Sequence, residues 1–175
     1  MIIHDDIWQD IAVEEEFLSD ESKEFLNNFI LNENIKEKYS ILKSIEEEPD
    51  LEKNRIVSPH FEKFKKIFVD WLILYPHSCT ELLKMEINVY SPPLSFQSNK
   101  ILPKVEHDHK NYRQFMLYLS PDDRHAKTSV WREDYVHTLY ELEPKKFTAF
   151  NFEALPVSQI LPKENDLKIL TITYK

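Results

Sequence analysis

The spacing of apolar residues changes near residue 80: before it they recur at helical intervals, and after it they fall in short alternating runs broken by Pro, Asn and Asp. In the first half, Phe25, Leu26, Phe29 and Ile30 share one helical face. Ser19 or Asp20 opens that helix, because their side-chain oxygens accept from orphan amides, and Glu21 suits its positive end. A second helical stretch turns Ile35, Tyr39, Leu42 and Ile45 inward and is stopped by Glu46-Glu47-Glu48-Pro49. The third helix has Ser58 as N-cap and Pro59 at its first position, and Phe61, Phe64, Phe68, Trp71, Leu72 and Tyr75 form its stripe before Pro76 ends it. So broad an apolar face requires a large apolar surface to lie on, and a sheet formed by the second half is the candidate of matching size.

Leu83 to Tyr90 alternates with period two and places Leu83, Met85, Ile87 and Val89 on one face. Further strands are expected over Tyr112–Leu119, Lys127–Trp131, Val136–Leu142, Phe147–Phe152, Val157–Leu161 and Leu167–Tyr174. Turns such as Ser120-Pro121-Asp122-Asp123 join them with no helix-length segment between, which disfavours a parallel α/β sheet and suits an antiparallel sandwich or jelly roll. The expected fold class is α+β. A single domain covers 1–175, with 1–80 a mainly helical support layer packed on a β core over 81–175.

Composition narrows the function. With 42% hydrophobic and 13% aromatic residues the chain can build a core, and a net charge of −9 speaks against nucleic acid or an anionic membrane as its main partner. The sequence contains no glycine. That excludes a Walker A loop, a dinucleotide fingerprint and a nucleophile elbow, and passes turns of positive φ to Asn or Asp. The lone Cys79 has no internal disulfide partner and reads as a packed thiol. The N-terminus lacks the pattern of a secretory signal, and the longest apolar run, Phe68–Tyr75, is interrupted by Asp70 and too short to span a bilayer, so a cytoplasmic location is expected.

The densest reactive cluster is Glu106-His107-Asp108-His109-Lys110. In extended backbone His107 and His109 project to the same side and can hold a cation between them; a polar loop with solvated histidines is the other reading. His125 and His137 are expected at surface or loop positions. Ser129, Ser158 and Thr171 have no base-and-orienter arrangement around them, so a hydrolase triad finds no support and no catalytic residue is singled out.

The order Phe17-Leu18-Ser19-Asp20-Glu21, helices, Ile87-Asn88-Val89-Tyr90, a loop, His107-Asp108-His109 and then Phe115-Met116-Leu117-Tyr118-Leu119-Ser120 resembles the iron(II)/2-oxoglutarate-dependent dioxygenases of the prolyl-hydroxylase-like and phage-encoded kind. The resemblance spans residues 17 to 174 and rests on short motifs in order. It implies a double-stranded β-helix that binds Fe(II) through two histidines and a carboxylate and takes 2-oxoglutarate as cosubstrate. His107 would be the first metal ligand. His109 stands where the family has its carboxylate, with Asp108 one residue early as the alternative to it, and Ser158 occupies the position of the distal histidine. Lys168 aligns with the base that pairs with the far carboxylate of 2-oxoglutarate, and Tyr90 with a tyrosine lining that pocket.

The resemblance thus implies a hydroxylase of a small-molecule or peptide substrate, with an incomplete metal triad. Two other readings stay open: a non-catalytic pseudo-oxygenase that binds a ligand or protein, and a cupin-like metal-binding protein using His107 and His109.

Overall fold

The structure, a computed structural model, describes residues 2–6, 9–44, 55–75, 79–94, 100–104, 112–132, 136–153 and 155–175. Ser19 opens the first helix, α1 (Asp20–Glu33), through its hydroxyl, which accepts from the Ser22 amide at 3.2 Å. Asn34 ends it in left-handed geometry at φ 44°, a position usually filled by glycine. A second residue of positive φ is Phe147 at 66°, so the turns of this glycine-free chain are not confined to Asn and Asp. The Phe147 amide donates to the Tyr118 carbonyl at 2.7 Å and its ring packs on the core, which holds a bulky side chain in that region.

The second helix, α2 (Phe61–Leu74), starts two residues later than its sequence suggests. The Ser58 hydroxyl accepts from the His60 amide, and the Ser58 carbonyl accepts from Phe61, so Pro59 and His60 form a tight turn leading into the helix. Phe61, Phe64, Ile67, Phe68 and Trp71 are buried along α2, each worth about 1.5–3 kcal/mol of burial. Pro76, the expected terminator, lies outside the described residues. Cys79 is half-buried against this core, and burial pushes its thiol pKa up.

Strands β1 (Ile2–Asp6) and β2 (Gln9–Glu14) precede α1, and β3 (Lys38–Leu42) lies between the helices. The expected helix around Ile35 to Ile45 is corrected by β3, which pairs with β4 (Leu82–Tyr90) through Tyr39↔Ile87 and Leu42↔Met85. The register shifts between Ser40 and Leu42, so Ile41 and Leu42 are both buried and the apolar spacing imitates a helix. Ile45 and the acidic run behind it lie outside the described residues. The first eighty residues therefore contribute strands to the sheet as well as the helical layer.

The remaining strands are β5 (Lys100–Lys104), β6 (Arg113–Tyr118), β7 (Thr128–Trp131), β8 (Thr138–Leu142), β9 (Ala149–Glu153), β10 (Val157–Ile160) and β11 (Leu167–Tyr174). All but β5 fall on runs whose alternation predicts them. Pro103 hides β5 from such reading, and its place at the edge of its sheet is where a strand tolerates proline. The larger sheet has the order β1-β2-β9-β6-β11-β4-β3 and the smaller β5-β10-β7-β8, with antiparallel pairing throughout.

From β4 onward the chain passes repeatedly between the sheets, so each sheet interleaves strands from distant parts of the sequence. This is a double-stranded β-helix, the jelly roll anticipated above. One apolar cluster joins α1 and α2 to the outer face of the larger sheet through Phe64, Phe68, Trp71, Met85, Phe115 and Ile172. A second lies between the sheets and includes Met116, Tyr118, Val130, Phe150, Leu167 and Ile169. Among the described residues no helix is long and apolar enough to cross a membrane.

Candidate functional site

Residues opposite each other on neighbouring antiparallel strands project to the same side, so the register of β4, β11 and β6 defines the inner face of the larger sheet row by row. One row is Asn88–Ile169–Tyr118, the next Glu86–Thr171–Met116 and the next Lys84–Thr173–Gln114; at the other end Tyr90 stands opposite Leu167. Ile169, Tyr118, Met116 and Leu167 belong to the cluster between the sheets, which identifies this side as the interior. The interior thus runs from apolar, where β11 begins, to polar, where it ends.

At the apolar end the sheets are tied together by a buried chain of hydrogen bonds. The Tyr118 hydroxyl donates to Thr128 Oγ1 at 2.6 Å, Thr128 donates to Gln159 Oε1, and the Gln159 amide donates to the carbonyls of Ala126 and Ile160. Burial pushes the Tyr118 phenol well above its ordinary pKa, with the nearby Tyr90 adding a little and the bond to Thr128 opposing. Tyr90 packs on the same inter-sheet cluster.

The polar end is organised around Glu86, whose side chain is 4% exposed. Its Oε2 meets Lys38 Nζ at 2.8 Å; its Oε1 meets Lys84 Nζ at 3.2 Å and accepts from Asn88 Nδ2 at 3.3 Å. Burial raises the Glu86 pKa, but Lys38 and Lys84 together outweigh it and hold the carboxyl below its usual value. Beside Lys84 the pairing of β4 with β11 skips Leu83, a bulge that changes the direction of the strand. Arg55 Nη2 holds the bulge by donating to the carbonyls of Leu82 at 3.0 Å and Leu83 at 2.8 Å. In the Lys84 row, Thr173 is 1% exposed and its hydroxyl has no hydrogen-bond partner among the described residues. A buried group left so costs about 1–3 kcal/mol.

The residues singled out from the sequence are not brought to one place. His107, Asp108 and His109 belong to the connection between β5 and β6 and lie outside the described residues. Ser158 is buried but alternates with the inward Val157 and Gln159, so it sits on the outer face of the smaller sheet, opposite Ser129, and accepts from Trp131 Nε1 at 2.8 Å. Lys168 alternates with the inward Leu167 and Ile169 and so faces the helical layer, lining a surface groove of about 570 Å³ with Asn27, Ile30, Leu31 and Lys146 of α1 and the turns beneath it. Of the three candidates among the described residues, Tyr90 alone looks into the barrel.

His125 and His137 are exposed, as expected for surface histidines. Among the described residues no group of three His, Cys, Asp or Glu is placed to hold a metal ion. Sequence reasoning missed Lys84, Glu86, Gln114 and Thr173. The available signal was the other phase of the Leu83–Tyr90 alternation: Lys84, Glu86, Asn88 and Tyr90 form a polar face that closure of the barrel turns inward.

The strand order and the helices packed outside it are those of the 2-oxoglutarate/Fe(II) oxygenase fold. An oxidoreductase of the 2OG-Fe(II) oxygenase family from Burkholderia pseudomallei superposes with a TM-score of 0.69, covering 97% of this chain and 84% of its own at 10% identity. A viral collagen prolyl hydroxylase from Paramecium bursaria Chlorella virus-1 gives 0.59, covering 94% and 89% at 15% identity. A prolyl hydroxylase from Trichoplax adhaerens, in complex with a hypoxia inducible factor peptide fragment, gives 0.61, covering 94% and 82% at 10% identity. No protein-family model matches the sequence, and no curated protein matches it.

Ser158 and Lys168 do not fit the iron and cosubstrate roles that the resemblance gives them. A serine hydroxyl turned outward to a tryptophan is not a distal ligand, and an ammonium on the helical side of β11 does not reach a ligand held between the sheets.

Proposed function

We propose that this protein is of the 2-oxoglutarate/Fe(II) oxygenase type and receives a small-molecule or peptide substrate between its two sheets. The observation that carries this reading is the strand order, eight strands of which interleave across two sheets as in the oxygenases. The peptide option draws on the Trichoplax prolyl hydroxylase, which is described in complex with a peptide fragment. A cytoplasmic location is part of the proposal, and the lone cysteine is in keeping with it.

The proposal takes two forms. In the first, the protein is a hydroxylase with Fe(II) at His107 and His109, or at Asp108 in place of His109, and 2-oxoglutarate beside Tyr90. In the second it is a non-catalytic binding module on the same scaffold. The outward Ser158 and the helix-facing Lys168 favour the second.

Anaerobic addition of Fe(II) and 2-oxoglutarate, followed by absorbance in the visible and by succinate release on admitting oxygen, separates the two. A charge-transfer band with succinate formation establishes the hydroxylase. Absence of both, with a ligand or partner still bound after His107→Ala and His109→Ala, establishes the binding module. One equivalent of zinc, nickel or manganese in the purified protein would instead favour the cupin-like reading.

A further inference from the structure

We propose that the groove between α1 and the turns at the end of the barrel where β11 begins binds a small amphipathic anion, a molecule with an acid group and an apolar chain. Lys168 and Lys146 receive the acid group. The groove lies outside the barrel, so the inference goes beyond the oxygenase-type reading, which places its ligand between the sheets, and does not rest on it.

Shape and apolar lining come first. The groove encloses about 570 Å³, inside the span of roughly 300–1,000 Å³ usual for small-molecule sites. Ile30 and Leu31 of α1 meet Leu119 and Pro121 of the segment after β6 around it. Leu31 is 79% exposed, more than any other large apolar side chain among the described residues. One exposed leucine carries no meaning, but four apolar side chains around a single concavity offer surface for an apolar chain to cover.

The charge of the groove runs against that of the chain. The whole sequence carries −9, yet the charged groups lining the groove are Lys146, Lys168 and Asp166, two ammoniums against one carboxylate. The backbone of Lys168 is fixed on both sides: its amide donates to Ser120 Oγ at 2.9 Å, and its carbonyl accepts from the Leu119 amide at 2.9 Å. Its ammonium is partly buried and makes no ion pair or hydrogen bond among the described residues. Lys146 precedes the left-handed Phe147; its Nζ lies over that ring at 5.0 Å and donates to Asn27 Oδ1 at 2.6 Å. The neighbouring Lys145 is taken by Glu15 at 3.2 Å, whereas Asp166 pairs with neither lysine of the groove. A plain ion would leave the apolar lining wet, and a hydrocarbon would leave both ammoniums unanswered. A molecule that joins an acid group to an apolar chain answers both.

The experiment is calorimetric titration of the full chain, without added metal, with octanoate, octanol, acetate and a blocked Asp-Leu dipeptide. Amide NMR spectra locate what binds. Octanoate is expected to bind in the millimolar range and to shift the amides of residues 27–31, 119–121, 146 and 165–168. Octanol has the chain without the charge and acetate the charge without the chain, and each should bind at least about fivefold more weakly. Lys168→Met should weaken octanoate binding about fivefold, the measure of a partly exposed ion pair, and added salt should weaken it further in the native protein. Leu31→Ser should weaken it about threefold through lost apolar contact. Asp166→Asn should strengthen it about twofold, a change that loss of folding does not imitate. Lys63→Met, in a separate groove lined by Glu21 and Phe25, should leave affinity unchanged.

Octanol or acetate binding as well as octanoate would overturn the proposal, because one half of the ligand would then suffice. Octanoate affinity indifferent to Lys168→Met, affinity lost in Lys63→Met, or amide shifts confined to the space between the sheets would do the same. The dipeptide binding in this groove where octanoate does not would overturn the small-molecule assignment and give the groove to an acidic segment of a protein partner. Uptake of iron or of 2-oxoglutarate bears on the oxygenase-type reading alone, since Lys168 stands on the face of β11 turned away from the interior.

Discussion

Glu86→Gln is the substitution whose consequences the interior makes most specific. The carboxylate is 4% exposed and the Lys84 side chain 12%, so the two form a nearly buried pair at 3.2 Å, while Lys38, 44% exposed, meets the other oxygen at 2.8 Å. Removing one partner of a buried pair costs about 3–5 kcal/mol, whereas a half-exposed pair adds less than about 1 kcal/mol. Glutamine keeps the volume and one carbonyl acceptor, which brings the expected loss at neutral pH to about 2–4 kcal/mol. For a chain of this length that lowers the melting temperature by on the order of 10 °C.

The pH dependence supplies a second, independent reading of the same group. Its folded pKa lies below the ordinary 4.5, so the unfolded chain takes up the proton first as the solution is acidified. The stability it contributes is complete above the ordinary value and is lost as pH falls through the folded one, and the gap between native protein and Glu86→Gln should close over that acid range. Urea unfolding followed by circular dichroism, at constant slope, measures both effects. Adding Lys84→Met should recover part of the loss, since the two residues are coupled. A cost under about 0.5 kcal/mol at neutral pH, or an acid limb identical in the two proteins, would refute the buried ion pair.

Other expectations concern the frame around this site. Tyr118→Phe removes the donor that ties β6 to Thr128 and should cost about 1–2 kcal/mol in urea unfolding. Asn34→Gly, at φ 44°, should raise stability by a few tenths to about 1 kcal/mol, and Asn34→Ala should lower it by a similar amount. Tyr174, whose hydroxyl accepts from Asn151 Nδ2 at 2.6 Å, has its phenol pushed up to about 12 by burial, against the opposing effects of Asn151 and Arg113. Its share of stability is therefore complete below pH 10.0 and is lost as pH rises through about 12, and in a spectrophotometric titration its phenolate should appear after those of the exposed tyrosines.

Much of the fold could be read from periodicity because most elements bury one face on a neighbour of regular shape. The α2 stripe and the alternation of β4, β6, β9 and β11 are patterns of that kind. β3 misled because a bulge places two successive apolar residues inside, and a five-residue strand is too short to correct the impression. β5 was hidden by Pro103, and its edge position became apparent only from the pairing with β10. Lys84 and Glu86 were legible as alternating polar residues, but alternation alone does not distinguish a face turned to solvent from one enclosed by a second sheet.

The two positions taken from family spacing, Ser158 and Lys168, illustrate a sharper physical limit. On a strand a shift of one residue reverses the side to which a side chain points. Both residues lie one step out of phase with the interior: Val157 and Gln159 flank the first, Leu167 and Ile169 the second. Alignment to the nearest residue can therefore identify the strand and still name a group on the wrong side of it. Satisfaction of buried polar atoms is the more discriminating guide. Where Tyr118, Thr128 and Gln159 meet, each side chain has an internal partner, as expected of groups that only join two sheets. Thr173 is as deeply buried, and its hydroxyl has no partner among the described residues, so polar satisfaction differs between the end of the interior where β11 begins and the end where it finishes.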